Sequence, residues 1–271
     1  MKLSKEQIDR YSRQIILTEI GGEGQKKLLD SRVLIVGVGG LGSSCAIYLA
    51  AAGIGNIGIV DFDKVVLNNL QRQIIHSERY VNKLKVESAR DRIKKLNSDV
   101  KVTTYDIKLT SENALDIISN YDIVADCTDN FPSRYLVNDA CMLSNKPFAH
   151  AAILQFYGQA MTIIPYKSAC YRCLFPEMLA QDEILSCEQA GVIGTVVGIM
   201  GIIQANEIIK YILDIGELLS GKLLLVDVLR LDFEKIIIKK NPKCPICGRH
   251  RTITDLTNNQ EFYCNKYKSD L

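Results

Sequence analysis

The sequence predicts an α/β fold, a Rossmann-like and mostly parallel sheet flanked by helices, with a C-terminal β extension. Three observations carry that expectation. The segments RVLIVG (32–37) and IGIVD (57–61) are short apolar runs of the kind found in strands buried on both faces, and the stretch between them (41–52) is rich in Ala and Leu. The same alternation of strand and helix patterns continues through the first half of the chain, as a succession of right-handed βαβ units requires.

Taken in order, a charged helical pattern at 83–96 precedes the strand VKVTTY, a short helix is expected at 112–118, and YDIVADC at 121–127 forms the next strand. After Pro147 the pattern changes to strands at 158–164, a cysteine pair, a polar segment at 177–188 and a long helix at 195–213. Two further strand-like runs, KLLLVDV and FEKIIIK, lead into NPKCPICG. No internal repeat or low-complexity linker interrupts this, so residues 1–271 are expected to form one domain with a nucleotide-binding part (1–165) and a C-terminal part (166–271).

Composition narrows the function. Lys and Arg number 33 against 31 Asp and Glu, a net charge of +2, which supplies no electrostatic footprint for nucleic acid or an anionic membrane. With 47% hydrophobic and 24% charged residues the chain has the make-up of a globular protein, and disorder is excluded. The polar N-terminus MKLSKEQIDRYSRQ has no apolar signal core, and the most apolar stretch, 192–203, runs into Gln204, Asn206 and Glu207 well short of about 18 residues, so a buried helix and a cytoplasmic location are expected. Nine cysteines without a secretion signal should be thiols, and those with special spacing are candidate ligands.

GVGGLG (37–42) places Gly37, Gly39, Gly40 and Gly42 where a strand turns into a helix. Backbone there can approach a phosphate at the helix N-terminus, and Asp61, 19 residues after Gly42, ends the second strand where it can accept from a ribose hydroxyl. NAD and ATP both satisfy these residues. The following DFDKVVLNNLQRQ adds Asp63, Asn68, Asn69 and Arg72, and Lys85 opens a helix; two cations beside a phosphate site suit a triphosphate losing pyrophosphate, although a single Lys or Arg is more often a solvated side chain. In CTDN (127–130), Asp129 at a strand end is a candidate Mg²⁺ ligand or an N-cap, and Asn130 can cap the next helix.

RYSRQ (10–14), GVGGLG, DFDKVVLNNLQRQ, the Lys85 helix and CTDN, in this order and spacing, resemble the ThiF, MoeB and HesA family, whose fold is shared with ubiquitin-activating enzymes. The resemblance runs over residues 8–248 and implies adenylation of the C-terminal glycine of a small ubiquitin-like sulfur carrier. It implies an ATP pocket of Gly40, Asp61, Asn68, Asn69, Leu70, Gln71, Arg72, Lys85, Asp129 and Asn130, with Mg²⁺ at Asp129, and a homodimer in which Arg13 reaches the partner's site. Asn68 stands where many relatives have Ser. YLVNDAC and KVESAR look more like the molybdopterin-side members, whose carrier is MoaD-like, than the thiamine-side ones, whose carrier is ThiS-like.

Cys170-x-x-Cys173 and Cys244-x-x-Cys247 form two pairs 70 residues apart, compatible with a closed tetrahedral metal site or with redox dithiols; the resemblance implies one shared structural Zn²⁺. Cys45, Cys127 and Cys141 fall in predicted core positions, whereas Cys187 lies in a polar segment and aligns with a cysteine that some relatives use covalently, against the reading of an inert loop thiol. His76, His150 and His250 belong to no catalytic pattern and are expected at the surface or as satisfied, partly buried residues. The expected activity is that of an ATP-dependent nucleotidyltransferase with a Gly-Gly carrier, served by a separate persulfide sulfur donor because the chain ends too soon for a rhodanese domain. An NAD-dependent oxidoreductase and a non-catalytic carrier-binding module are the alternatives.

Overall fold

β1 (Arg32–Val36) is apolar without interruption after Arg32 because it serves two cores at once. Val33 and Ile35 enter the cluster on one face, Leu34 and Val36 the cluster on the other, and a strand covered on both sides cannot alternate with polar residues. In the computed structural model, which describes residues 2–177 and 190–256, this strand lies near the middle of an eight-stranded sheet. Its partners are β2 (Asn56–Val60), β3 (Lys101–Tyr105), β4 (Ile123–Asp126), β5 (Phe148–Leu154), β6 (Tyr157–Ile163), β7 (Lys222–Asp227) and β8 (Asp232–Ile237), in the order β3-β2-β1-β4-β5-β6-β7-β8. Strands β1 to β5 pair in parallel, and β6, β7 and β8 add in antiparallel fashion, forming the expected C-terminal extension.

Three N-terminal helices precede β1: α1 (Lys5–Arg10), α2 (Ser12–Ile15) and α3 (Gly21–Asp30). Then come α4 (Gly40–Ala52), α5 (Lys85–Leu96), α6 (Ala114–Ser119), α7 (Phe131–Leu143), α8 (Tyr171–Leu174) and α9 (Gly194–Leu213). Sequence pattern foresees α4, α5, α6 and α9 to within a few residues, but not α1 to α3. It also misses β5, whose FAHAAIL mixes small residues and a histidine into an otherwise apolar run. The segment 178–189, which includes Cys187, and the tail from 257 lie outside the described residues.

α9 has the length the sequence predicts and, by length and composition alone, is apolar enough to cross a membrane. Its packing makes it a core helix: it lies against α4 and across β5 and β6. The polar residues that end the apolar run serve the sheet. Gln204 donates to the carbonyls of Asp126 (2.7 Å) and Ala149 (3.1 Å), and Glu207 accepts from the Thr162 hydroxyl (2.5 Å) and the Leu219 amide (2.7 Å). The α4–α9 approach is so close that a Cβ on Gly201 would stand 2.1 Å from Ser44 Oγ and 2.3 Å from the Leu41 carbonyl oxygen.

The order β3-β2-β1-β4 reverses the direction of winding between β1 and β4. Ligands of open α/β sheets bind outside the carboxyl ends of strands at such a point. That is where the glycine turn, Asp61 and CTDN meet.

Candidate active site and metal centre

After β1 the chain passes through Gly37 at φ +86° and enters α4 at Gly40. A Cβ on Gly42 would stand 2.1 Å from the Gly37 carbonyl oxygen, so this glycine closes the turn onto the helix rather than facing the cleft. Gly42→Ala should therefore cost about 1–3 kcal/mol, seen as a lower urea midpoint, because a backbone oxygen has to move.

The turn floors a cleft of about 340 Å³ lined by Gly37, Gly39, Gly40, Asp61, Asp63, Arg72, Lys85, Asp129 and Asn130. These are nine of the residues the sequence nominates. Asn68, Asn69, Leu70 and Gln71 do not line it; they build the short turn that carries Arg72, with Asn69 Nδ2 donating to Asn68 Oδ1 (3.0 Å) and Arg72 donating to the Asn68 carbonyl (3.0 Å). Arg13 is exposed on α2 and is not among the lining residues.

Asp61 is held by two backbone amides, from Val38 (2.8 Å) and Asp63 (2.9 Å). Burial pushes its carboxyl up, and the Lys85 charge with those amides pulls the other way. Lys85 starts α5, is 6% exposed and reaches Asp63 Oδ2 at 2.7 Å. Arg72 makes no ion pair among the described residues and remains available to an anion.

His76 lies behind the turn, its Nε2 at 3.0 Å from the Val38 carbonyl and its Nδ1 at 3.0 Å from Ser88 Oγ. Burial lowers its pKa to about 4, helped by the Lys85 charge and opposed by the Val38 carbonyl, so it is neutral, donating to Val38 and accepting from Ser88. Stability is full above the unfolded pKa of 6.5 and falls as pH drops toward 4, where only the unfolded chain has gained the proton. The loss across that window is about 3 kcal/mol. Urea midpoints at pH 7 and 4.5 should differ less in His76→Gln than in the parent.

At the end of β4, Asn130 is the N-cap of α7, its Oδ1 accepting from the Ser133 amide at 2.9 Å. Asp129 is therefore not the cap: among the described residues its exposed carboxylate takes a side-chain bond from Asn130 Nδ2 (3.3 Å), and it stands at the cleft. Among the lining residues that escape the sequence patterns, Arg134, 8% exposed, sits one helical turn after the Asn130 cap and joins Arg72, Lys85 and Lys108 as a cation of the cleft, and Gln73 follows Arg72 with its buried Oε1 unpartnered among the described residues. Helical spacing from the cap is the signal that could have found Arg134.

Cys170, Cys173, Cys244 and Cys247 come together with all four sulfurs within 4.8 Å of one another. The shorter separations are 3.8 Å for 170–173, 3.5 Å for 170–244 and 3.3 Å for 173–247. Tetrahedral Zn–S bonds of about 2.3 Å put sulfurs about 3.8 Å apart, so the cluster fits a closed thiolate site such as that of zinc. The Asn241 amide donates to Cys173 Sγ (3.3 Å), supporting the ligand from outside. Cys45, Cys127 and Cys141 are buried as expected, although Cys127 also lines the cleft. His76 and His150 are fully buried rather than superficial, because each spans two elements of the interior.

The ThiF family profile matches residues 11–246. A "Sulfur carrier protein adenylyltransferase" of Thermus thermophilus is 43% identical over 267 residues, covering 97% of this chain and 98% of that one. The "Adenylyltransferase and sulfurtransferase MOCS3" of Bos taurus is 45% identical over 270 residues, and this chain spans 99% of itself but 59% of that protein. Among solved structures, E. coli MccB with ATP superposes with a TM-score of 0.77 at 26% identity, over 88% of this chain and 74% of that one. On fold, cleft and sequence together, the chain belongs to the ThiF family.

Proposed function

We propose that this chain is an ATP-dependent adenylyltransferase that activates the C-terminal glycine carboxylate of a ubiquitin-like sulfur-carrier protein ending in Gly-Gly, in the molybdopterin branch. The observation that carries this reading is the charge set of one cleft: Arg72, Lys85 and Arg134 beside a glycine turn, with the Asp129 carboxylate left free by the Asn130 cap. An NAD pyrophosphate does not need several cations and a carboxylate beside it; a departing pyrophosphate does. The Thermus and cattle relatives, both named adenylyltransferases, support the same class, and the Thermus protein's name, which specifies a sulfur carrier protein, is the reason for favouring such a carrier.

In this mechanism the glycine turn and the α4 N-terminus hold phosphate oxygens, Asp61 accepts from the ribose, and the carrier's carboxylate attacks the α-phosphate. Arg72 and Lys85 offset the charge that gathers on the α-phosphate and pyrophosphate. No base is needed, because a glycine carboxylate is ionised at neutral pH. Asp129 would hold Mg²⁺, which shields phosphate charge when bound. The four cysteines would hold Zn²⁺ in a structural role. The terminal sulfur of a separate persulfide donor would then attack the acyl carbon in the cytoplasm, AMP would leave, and a thiol reductant would cleave the resulting acyl disulfide to the thiocarboxylate. Cys187 is proposed as a nucleophile that takes up the activated carrier, and full sulfur transfer by Cys187→Ala would sink that role.

Arg13, exposed and away from the cleft-lining residues, is proposed to complete the site of a second copy in a homodimer. Arg13→Ala and Lys85→Met proteins, each inactive alone, should then regain activity on mixing, since one hybrid site is intact. Lack of complementation between subunits that do exchange would contradict the shared site. The function itself is tested by incubating the protein with ATP, Mg²⁺ and a carrier and quenching with hydroxylamine. A C-terminal hydroxamate on the carrier is the expected product; stabilisation against heat by NAD rather than ATP, without hydroxamate, would favour the oxidoreductase. A thiamine-type carrier giving the hydroxamate in place of the molybdopterin type would move the pathway and keep the chemistry.

A further inference from the structure

Thr128, next to Asp129, is gripped from two directions. Its amide (3.2 Å) and hydroxyl (2.7 Å) both donate to Asp126 Oδ1, and its carbonyl faces Arg134 Nε at 3.4 Å. Asp126 is in turn held by His150 Nδ1 at 2.8 Å. Both grips lead to one residue outside the cleft. The Tyr171 ring meets His150 edge-on, 4.9 Å between centroids, and its hydroxyl is near Arg134, whose charge opposes the rise that burial imposes on its pKa. Tyr171 stands between Cys170 and Cys173 in CYRC, and the knuckle is tied to α7 by Asn138 Oδ1 accepting from the Tyr171 amide (2.9 Å) and by a paired Arg172–Asp139 contact (2.6 and 2.8 Å).

Two buried polar atoms in this cluster, Tyr171 OH and His150 Nε2, make no close hydrogen bond among the described residues, so what the hydroxyl offers the cluster is its looser contact with Arg134. A buried hydroxyl without a partner costs stability, and phenylalanine would fill the same space without that cost. A tyrosine kept for packing alone is therefore the less stable choice.

We propose that Tyr171 is a positioning residue for the nucleotide cleft: from within the cysteine knuckle it sets Arg134 and His150, and through them the Thr128–Asp129 loop. This rests on the reading of Asp129 as the Mg–ATP carboxylate. It links the order of the metal centre to the order of the cleft through Tyr171 and His150, which belong neither to the cleft lining nor to the cysteine cluster.

The test uses the full-length metal-loaded protein and its Tyr171→Phe variant. The variant is expected to keep its metal stoichiometry, to melt at or above the parent temperature, and to bind ATP with Mg²⁺ about 10-fold more weakly, with KM for the carrier unchanged. Amide hydrogen exchange over 127–134 should rise at the same time. Parent-like ATP affinity and exchange, with metal retained, would overturn the proposal. His150→Asn, which keeps a donor toward Asp126, should behave like the parent and His150→Leu like Tyr171→Phe; this pair decides the matter if Tyr171→Phe loses metal. Should the parent bind no ATP, the reading of the cleft fails, and hydrogen exchange alone still decides whether Tyr171 orders the loop.

Discussion

Replacing Lys85 with methionine is expected to lower carrier-dependent ATP–pyrophosphate exchange by about 100-fold or more while leaving the protein folded. The side chain is 6% exposed, opens α5, and has a single carboxylate partner among the described residues, Asp63 at 2.7 Å. Methionine keeps most of the stem's packing and removes only the ammonium. In a cleft walled by protein that charge is worth more than it would be in water, and it acts on groups whose charge grows as pyrophosphate leaves. Asp61 also loses the Lys85 charge that now counters its upward shift, so its proposed role as ribose acceptor weakens as well. Exchange within a few-fold of the parent would show that the triphosphate does not lie beside Lys85.

Serine at Cys173 or Cys244 is expected to release the metal and to remove the cooperative unfolding of the parent, the largest stability effect in the chain. Structural zinc binding is worth about 10–16 kcal/mol in small finger peptides, against a whole-domain stability of about 5–15 kcal/mol. Here the cluster also closes a core: Cys170, Cys244 and Cys247 are buried with Ile246, Ile253 and Leu256 in the same apolar group as α7. A thermal melt with metal analysis checks this, and a chelator should reproduce the serine variants. Parent-like stability in chelator, with a disulfide appearing on mild oxidation, would mean that the pairs are dithiols.

Local pattern carries information wherever one strand, turn or helix makes the site. The GVGGLG turn, Asp61 at the end of β2 and the CTDN cap are adjacent in the chain to the elements that place them, so their positions at the cleft could be expected from sequence. The paired C-x-x-C motifs were also visible, but their meeting across 70 intervening residues depends on β7 and β8 returning the chain to α8. Gln73 and Tyr171 were not visible for the same reason. Each earns its place through a tertiary neighbour, the cleft wall or His150, that no periodicity encodes. β5 was hidden by its own burial, since small residues and a histidine suit a strand packed under α9 but break the apolar signal.

The most direct measurement is ATP–pyrophosphate exchange by the purified protein with Mg²⁺, run without carrier and with carriers of the molybdopterin and thiamine types. Exchange that depends on a carrier with an intact Gly-Gly terminus, and on the molybdopterin type above the other, is the predicted result. Absence of exchange with every Gly-Gly carrier, from a folded, metal-loaded protein that binds ATP, would contradict adenylation of a sulfur carrier.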